Sequence, residues 1–179
     1  MRNVIHVQTA HTSDLPSGTL KAVRELLLDA FDGEFSEEDW DHTVGGVHAL
    51  AYDGDDLVGH GSLVQRRLLH GGRALRTGYV EGVAVRADRR RQGYGTAVMD
   101  ALERVVREAY ELGALSASDE GAALYSARGW GRWQGPTSVL TPAGVVLDDE
   151  DSGVFVLPVT ATVDLTGEIT CDWRDGDAW

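Results

Sequence analysis

The residues with the clearest chemical reading stand in one turn. Arg90-Arg91-Gln92-Gly93-Tyr94-Gly95-Thr96 joins a strand-like run to a long amphipathic helix. The first N–H groups of a helix have no partner inside it and sit at its positive dipole end, so they suit an anion. Gly93 and Gly95 carry no Cβ to hold a phosphate away from the backbone, and arginines add charge-assisted hydrogen bonds. Arg86, Arg89, Arg90 and Arg91 fall within six positions of a chain whose net charge is −13. A local basic patch in so acidic a protein is what a pyrophosphate-bearing cofactor calls for; solvated arginines in an ordinary turn are the plain alternative. A nucleotide-hydrolase P-loop is excluded, because it needs Lys-Ser or Lys-Thr after the last glycine, and the only lysine is Lys21. A dinucleotide fold lacks its third glycine in register and its alternating parallel strands.

The acids form the second pattern. With 29 Asp and Glu against 16 Lys and Arg, the chain offers no general basic surface, so no nucleic-acid partner is expected. Acidity serves either solubility or a cationic partner drawn into a negative cleft. The candidates for such a cleft are Glu34 and Asp39, then Glu150 and Asp151, then Asp172, Asp175 and Asp177. The six histidines show no metal-ligand spacing, and no metal is expected. One cysteine, Cys171, excludes an intramolecular disulfide and has no evident partner in the acidic tail. "MRNVIHVQTA" alternates like a strand rather than a signal peptide, and no apolar run approaches the ~18 residues of a membrane span. A cytoplasmic protein with no membrane partner is the expectation.

The elements that must position these groups can be read from periodicity. Val4–Ala10 reads as a strand and Ser17–Phe31 as a helix with apolar residues at Leu20, Val23, Leu27 and Phe31. Ser36, with Asp39 three residues on, is a capping-box pattern opening a second, short helix before Gly45 and Gly46. Residues 47–85 read as consecutive antiparallel strands, turned at Asp53-Gly54-Asp55 and His70-Gly71-Gly72. The helix after the glycine turn reads as Tyr94–Leu112, ended by Gly113. A short strand over 114–118, a helix over 120–130 closed by Gly129, and strands at Ser138–Leu140 and Val154–Val159 complete the chain. The 42% apolar content is enough for a core. The fold class is α+β, one domain over residues 1–179, with an acidic C-terminal tail from about 165.

"VAVRADRRRQGYGTAVMDALE" resembles the acetyl-CoA motif of the GNAT N-acetyltransferase superfamily, Arg/Gln-x-x-Gly-x-Gly/Ala. "ALYSARGW" is similar to the motif that follows it. Over nearly the whole chain, "FSEEDWDHTVGGVHAL", "GYVEGVAVRAD", "ELGALSAS" and the terminal "CDWRDGDAW" resemble the aminoglycoside 2′-N-acetyltransferases. The resemblance implies a mixed, mostly antiparallel sheet with helices on both faces and a splayed, bulged strand at the cofactor site. Gly82 within "YVEGVAV" is consistent with that bulge.

It further implies acetyl-CoA as cofactor, with coenzyme A as product. Arg90, Arg91, Gln92, Gly93, Tyr94, Gly95 and Thr96 would hold its pyrophosphate, and the backbone of Val83, Ala84 and Val85 its pantetheine arm and acetyl group. Glu81 would be the base and Tyr125 the acid, in direct transfer without a covalent enzyme intermediate. Read without the family, Glu81 is a strand glutamate and Tyr125 a helix-edge tyrosine. Glu34, Asp39, Glu81, Gly82, Ser116, Glu150, Asp151, Asp177 and Trp179, the last with its α-carboxylate, would hold an aminoglycoside. Asp39 also fits the capping box, and cannot fully serve both. A homodimer is implied by the family alone. The rival readings are the same fold acting on another polyamine, amino sugar or protein amine, and a non-catalytic sensor of acetyl-CoA or aminoglycoside.

Overall fold

A computed structural model describes residues 4–179; residues 1–3, the start of the alternating stretch, lie outside the described residues. In chain order the strands and helices are β1 (His6–His11), α1 (Ser17–Ala30), α2 (Glu37–Thr43), β2 (Val47–Asp53), β3 (Asp56–His70), β4 (Arg73–Val85), α3 (Tyr94–Ala109), β5 (Leu112–Ser116), α4 (Asp119–Ala127), β6 (Gly131–Arg132), β7 (Thr137–Thr141), β8 (Gly144–Leu147), β9 (Val154–Pro158) and β10 (Ile169–Cys171). They fall into two compact units, residues up to 64 with 80–105, and residues 65–79 with 106–179.

In the first unit β1 pairs antiparallel with β2, and β2 with the first half of β3. Leu15, Val23, Leu27, Leu50 and Ala84 form its apolar cluster, which explains the helical spacing of Leu20, Val23 and Leu27 in α1. The capping box at α2 is present: Ser36 Oγ accepts from Asp39 N–H, and Asp39 Oδ2 accepts from Ser36 N–H. The helix α3 lies hard against β3, since a Cβ placed on Gly61 would come within 2.9 Å of Val98 and Leu102.

In the second unit the strand order is β6-β9-β5-β4-β3-β10-β7-β8. β5 runs parallel to β4, from Thr77 opposite Leu112, and β10 runs parallel to β7. The pairs β5 with β9, β6 with β9, β7 with β8 and β10 with β3 are antiparallel. The helix predicted to reach Leu112 ends at Ala109. Leu112 satisfies helical spacing, but β4 claims it: Glu111 N–H donates to the Arg76 carbonyl at 3.0 Å, and the ladder starts at the next residue.

Residues 165–179, expected as an acidic tail, contain the strand β10. Cys171, assigned no partner there, is fully buried, and its thiol lies 3.4 Å from the Ala178 carbonyl. Burial, its largest influence, pushes that thiol up to about 11. Asp172, one of the candidate cleft acids, accepts through Oδ1 from the buried Arg66 guanidinium at 2.7 Å, so part of its capacity is already used.

Candidate active site

The anion turn belongs wholly to the first unit. Arg86 N–H donates to the Val58 carbonyl at 2.8 Å, which fixes the exit of β4, and a single 3₁₀ turn over Ala87–Arg89 follows. Of the four clustered arginines, two are pinned by local carboxylates. Arg86 pairs with Asp88 at 2.6 Å, and Arg89 pairs with both Asp53 and Asp88 at 2.8 Å. Arg90 donates through Nε to the Val85 carbonyl at 3.1 Å, and Gln92 donates to the Asp88 carbonyl at 3.2 Å. Arg90 and Arg91 are exposed, so the positive charge available to a ligand comes from these two.

Arg91 and Gly93 have left-handed backbone, φ 59° and 93°, and turn the chain sharply into α3. Ala97 N–H makes the first bond back to the Gly93 carbonyl, so the N–H groups of Tyr94, Gly95 and Thr96 precede the helical ladder. A Cβ on Gly95 would meet nothing nearer than Val85 at 3.7 Å, an ordinary contact. The protein's own packing therefore does not require glycine there, whereas an anion seated on those N–H groups would. The residues present fit the pyrophosphate of acetyl-CoA.

Just upstream, β4 carries Glu81, Gly82, Val83, Ala84 and Val85. Gly82 has φ 53° in mid-strand, and a Cβ there would press on Thr43 at 3.2 Å, so this position needs glycine. The Gly82 carbonyl accepts from His60 Nδ1 at 2.7 Å, and the Glu81 carbonyl from Ser62 Oγ at 3.4 Å. Ala84 packs in the apolar cluster, while Val83 and Val85 alternate away from it, toward Gly61 and Gly95. Glu81 is half-buried. Glu34 is exposed, behind a left-handed Asp32-Gly33 pair. Asp39 spends Oδ2 on the helix cap, leaving Oδ1 for any other partner. His48 and His60, for which the sequence suggested only the absence of a metal set, are both fully buried.

The second unit holds the remaining candidates. Tyr125 is 8% exposed on α4, with Trp130 and Phe155 rings about it at centroid distances of 6.1 and 6.2 Å. Burial pushes its phenol up to about 12, with the Arg128 charge opposing, so it stays protonated through the neutral range. Ser116 Oγ donates to the Ser152 carbonyl. Asp151 accepts from Gly153 N–H and is paired with Arg132 at 2.7 Å; these hold its carboxyl below the usual range. Glu150 and Asp151 line a cleft of about 360 Å³ together with Arg132, Trp133 and Ser152. Asp177 is exposed and accepts from Trp179 N–H at 3.3 Å. Trp179 is 4% exposed, and its indole N–H has no hydrogen-bond partner among the described residues.

Among the described residues no group of three or more His, Cys, Asp or Glu is arranged to hold a metal ion, and no helix is long and apolar enough to cross a membrane.

Residues 12–133 match the family described as the acetyltransferase (GNAT) domain. The chain belongs to the GNAT family. It is 54% identical over 182 residues to an aminoglycoside 2′-N-acetyltransferase of Mycolicibacterium fortuitum, covering 98% of this chain and 93% of that one. Its fold is similar to that of a GNAT acetyltransferase of Brucella melitensis solved with acetyl-CoA, at TM-score 0.61 and 12% identity, over 93% of this chain and 94% of that one. A GNAT-type N-acetyltransferase of Kribbella flavida gives TM-score 0.59 and 21% identity over 74% of this chain, which spans only 34% of that longer protein. At these identities the solved structures bear on the fold alone; they agree with a mixed sheet carrying four helices.

Proposed function

We propose that this protein is an acetyl-CoA-dependent N-acetyltransferase that modifies the 2′-amine of aminoglycosides. The observation that carries it is the run from Glu81 to Thr96. There a strand with a left-handed glycine leads, through one 3₁₀ turn, into a glycine turn whose helix N–H groups precede the helical ladder. Identity of 54% with an aminoglycoside 2′-N-acetyltransferase supports the choice of acceptor.

Acetyl-CoA, when bound, supplies an acetyl group activated as a thioester. The N–H groups of Tyr94, Gly95 and Thr96, with Arg90 and Arg91, hold its pyrophosphate. The backbone of Val83 and Val85 fixes its arm and acetyl carbonyl. An alkylammonium of pKa about 10 is neutral in about one molecule in a thousand at pH 7, a deficit of ~4 kcal/mol that a base must offset. Glu81 receives that proton, directly or through a water. Tyr125 supplies the hydrogen bond to the departing sulfur. Against a thiol of ordinary pKa, about 8.5, complete transfer from a phenol at about 12 is uphill by ~5 kcal/mol, so its hydrogen bond acts before its proton moves. Glu34, Asp39, Glu150, Asp151, Asp177 and Trp179 hold the polycation, Asp39 and Asp151 with part of their capacity already used.

The test is thiol release from acetyl-CoA with tobramycin, which has a 2′-amine, beside kanamycin A, which has a 2′-hydroxyl. Turnover of tobramycin alone is expected. Equal turnover of both discards the 2′ assignment, and turnover of neither discards the aminoglycoside.

A further inference from the structure

The two buried histidines are joined in one line that ends on β4. Thr12 Oγ1 lies 2.7 Å from His48 Nε2, His48 Nδ1 lies 2.8 Å from His60 Nε2, and His60 Nδ1 lies 2.7 Å from the Gly82 carbonyl. The far end fixes the sense of every bond. A carbonyl oxygen only accepts, so His60 Nδ1 carries the proton and donates. A neutral imidazole has one N–H, so His60 Nε2 is bare and accepts from His48 Nδ1–H. His48 Nε2 is then bare in turn and accepts from the Thr12 hydroxyl. Thr12 Oγ1 accepts the Gly45 N–H at 2.9 Å, and of the two acceptors within reach of its one proton, His48 Nε2 at 2.7 Å is closer than the Gly46 carbonyl at 3.3 Å. Every proton is accounted for with both rings neutral. Burial favours that state, pushing His48 down to about 4 and His60 to about 3.

Because the line ends on a carbonyl, it cannot relay protons to or from Glu81; what it can do is orient. The peptide bond is planar and, here as throughout the described chain, trans. The C=O of Gly82 and the N–H of Val83 therefore lie in one rigid plane and point in opposite directions within it. Whatever holds the first aims the second. Glycine at φ 53° has no side chain of its own to hold that plane, so an external donor is needed.

We propose that His60, seated by His48 and Thr12, is a positioning residue for acetyl transfer: its hydrogen bond to the Gly82 carbonyl aims the Val83 N–H and sets the path of the backbone that bears Glu81. The assignment rests on the functional reading above, in which the Val83 backbone meets the acetyl arm.

The experiment uses the full chain and three measurements. His60→Leu removes the donor, and His60→Asn returns an N–H near the position of Nδ1. With tobramycin and acetyl-CoA both saturating, His60→Leu lowers kcat about tenfold or more, with tobramycin KM within about twofold, and His60→Asn recovers most of it. Nitrogen NMR of the wild-type imidazoles at pH 7 shows both rings neutral with the proton on Nδ1. A folded His60→Leu variant with native kcat overturns the proposal, as does an asparagine variant no better than the leucine one. A charged His60, or one protonated only on Nε2, also overturns it, and this reading stands even where a variant fails to fold. If the wild type turns over neither aminoglycoside, the functional reading falls, and the tautomers alone decide the hydrogen-bond line.

Discussion

Acidification from pH 8 to pH 5 should destabilise the fold through His48 and His60. Both rings are bases whose folded values are depressed, to about 4 and about 3, chiefly by burial. His11 adds like-charge repulsion at His48, and His48 does so at His60, where only the bond to the Gly82 carbonyl works in the opposite direction. In the unfolded chain each has the ordinary value near 6.5. Below pH 6.5 the unfolded state binds protons that the native state does not, so stability is full above that value and is lost as pH falls. The loss per histidine approaches ~1.4 kcal/mol per pH unit, or ~2 kcal/mol by pH 5. The proton uptake belongs to the unfolded chain, where the rings are independent, so the two contributions add to ~4 kcal/mol. That is a large share of the ~5–15 kcal/mol that holds a typical domain. Depressed carboxylates do not confuse the window. Glu111, held down first by the Arg76 backbone N–H, loses its support only as pH falls below about 4. The assay is urea unfolding at pH 8, 6.5, 5.5 and 5, followed by fluorescence of the five tryptophans. The same series on a His48→Asn/His60→Asn variant isolates the pair. Wild-type stability that is level across this range, or a double variant with an equal slope, would refute the reasoning.

Four further outcomes are expected. Glu81→Gln lowers turnover about a hundredfold or more while acetyl-CoA affinity stays within about twofold; an unchanged rate removes its role as base. Gly95→Ala weakens acetyl-CoA about tenfold at unchanged or slightly raised Tm, because its Cβ meets only Val85 at 3.7 Å and alanine favours a helix. Native affinity in that variant rejects the anion cradle. Tyr125→Phe lowers kcat about tenfold with little change in substrate KM, and equal kcat would show that the phenol does not act on the sulfur. Light scattering should give a homodimer at assay concentration, and a monomer there ends that proposal.

Much of the first unit was legible because its determinants are local. The capping box needs only Ser36 and Asp39, three residues apart, and the structure contains both of its bonds. The start of α3 follows from where Gly93 and Gly95 stand, and Gly82 announces an unusual backbone wherever its neighbours end up. These are properties of a few consecutive residues, so the sequence by itself determined them. The family was legible as well, and Glu81 and Tyr125 are the pair the sequence nominates for catalysis.

Tertiary structure decided whatever depends on a partner far along the chain. Leu112 suits a helix as well as a strand, and only pairing with Thr77 made it the start of β5. Three residues of β10 have no period to detect, yet β3 and β7 between them bury Cys171. Arg66 and Asp172, 106 positions apart, form one ion pair, which no local pattern announces. Arg86 and Arg89 suit a ligand's phosphates by their place in the chain, but Asp53 and Asp88 neutralise them in the fold. The line from Thr12 through His48 and His60 to Gly82 draws on four separate segments. Spacing along a chain records which residues share a helix face or a strand edge. Which buried donor meets which acceptor is a matter of close packing, and that is set only when the whole chain has folded.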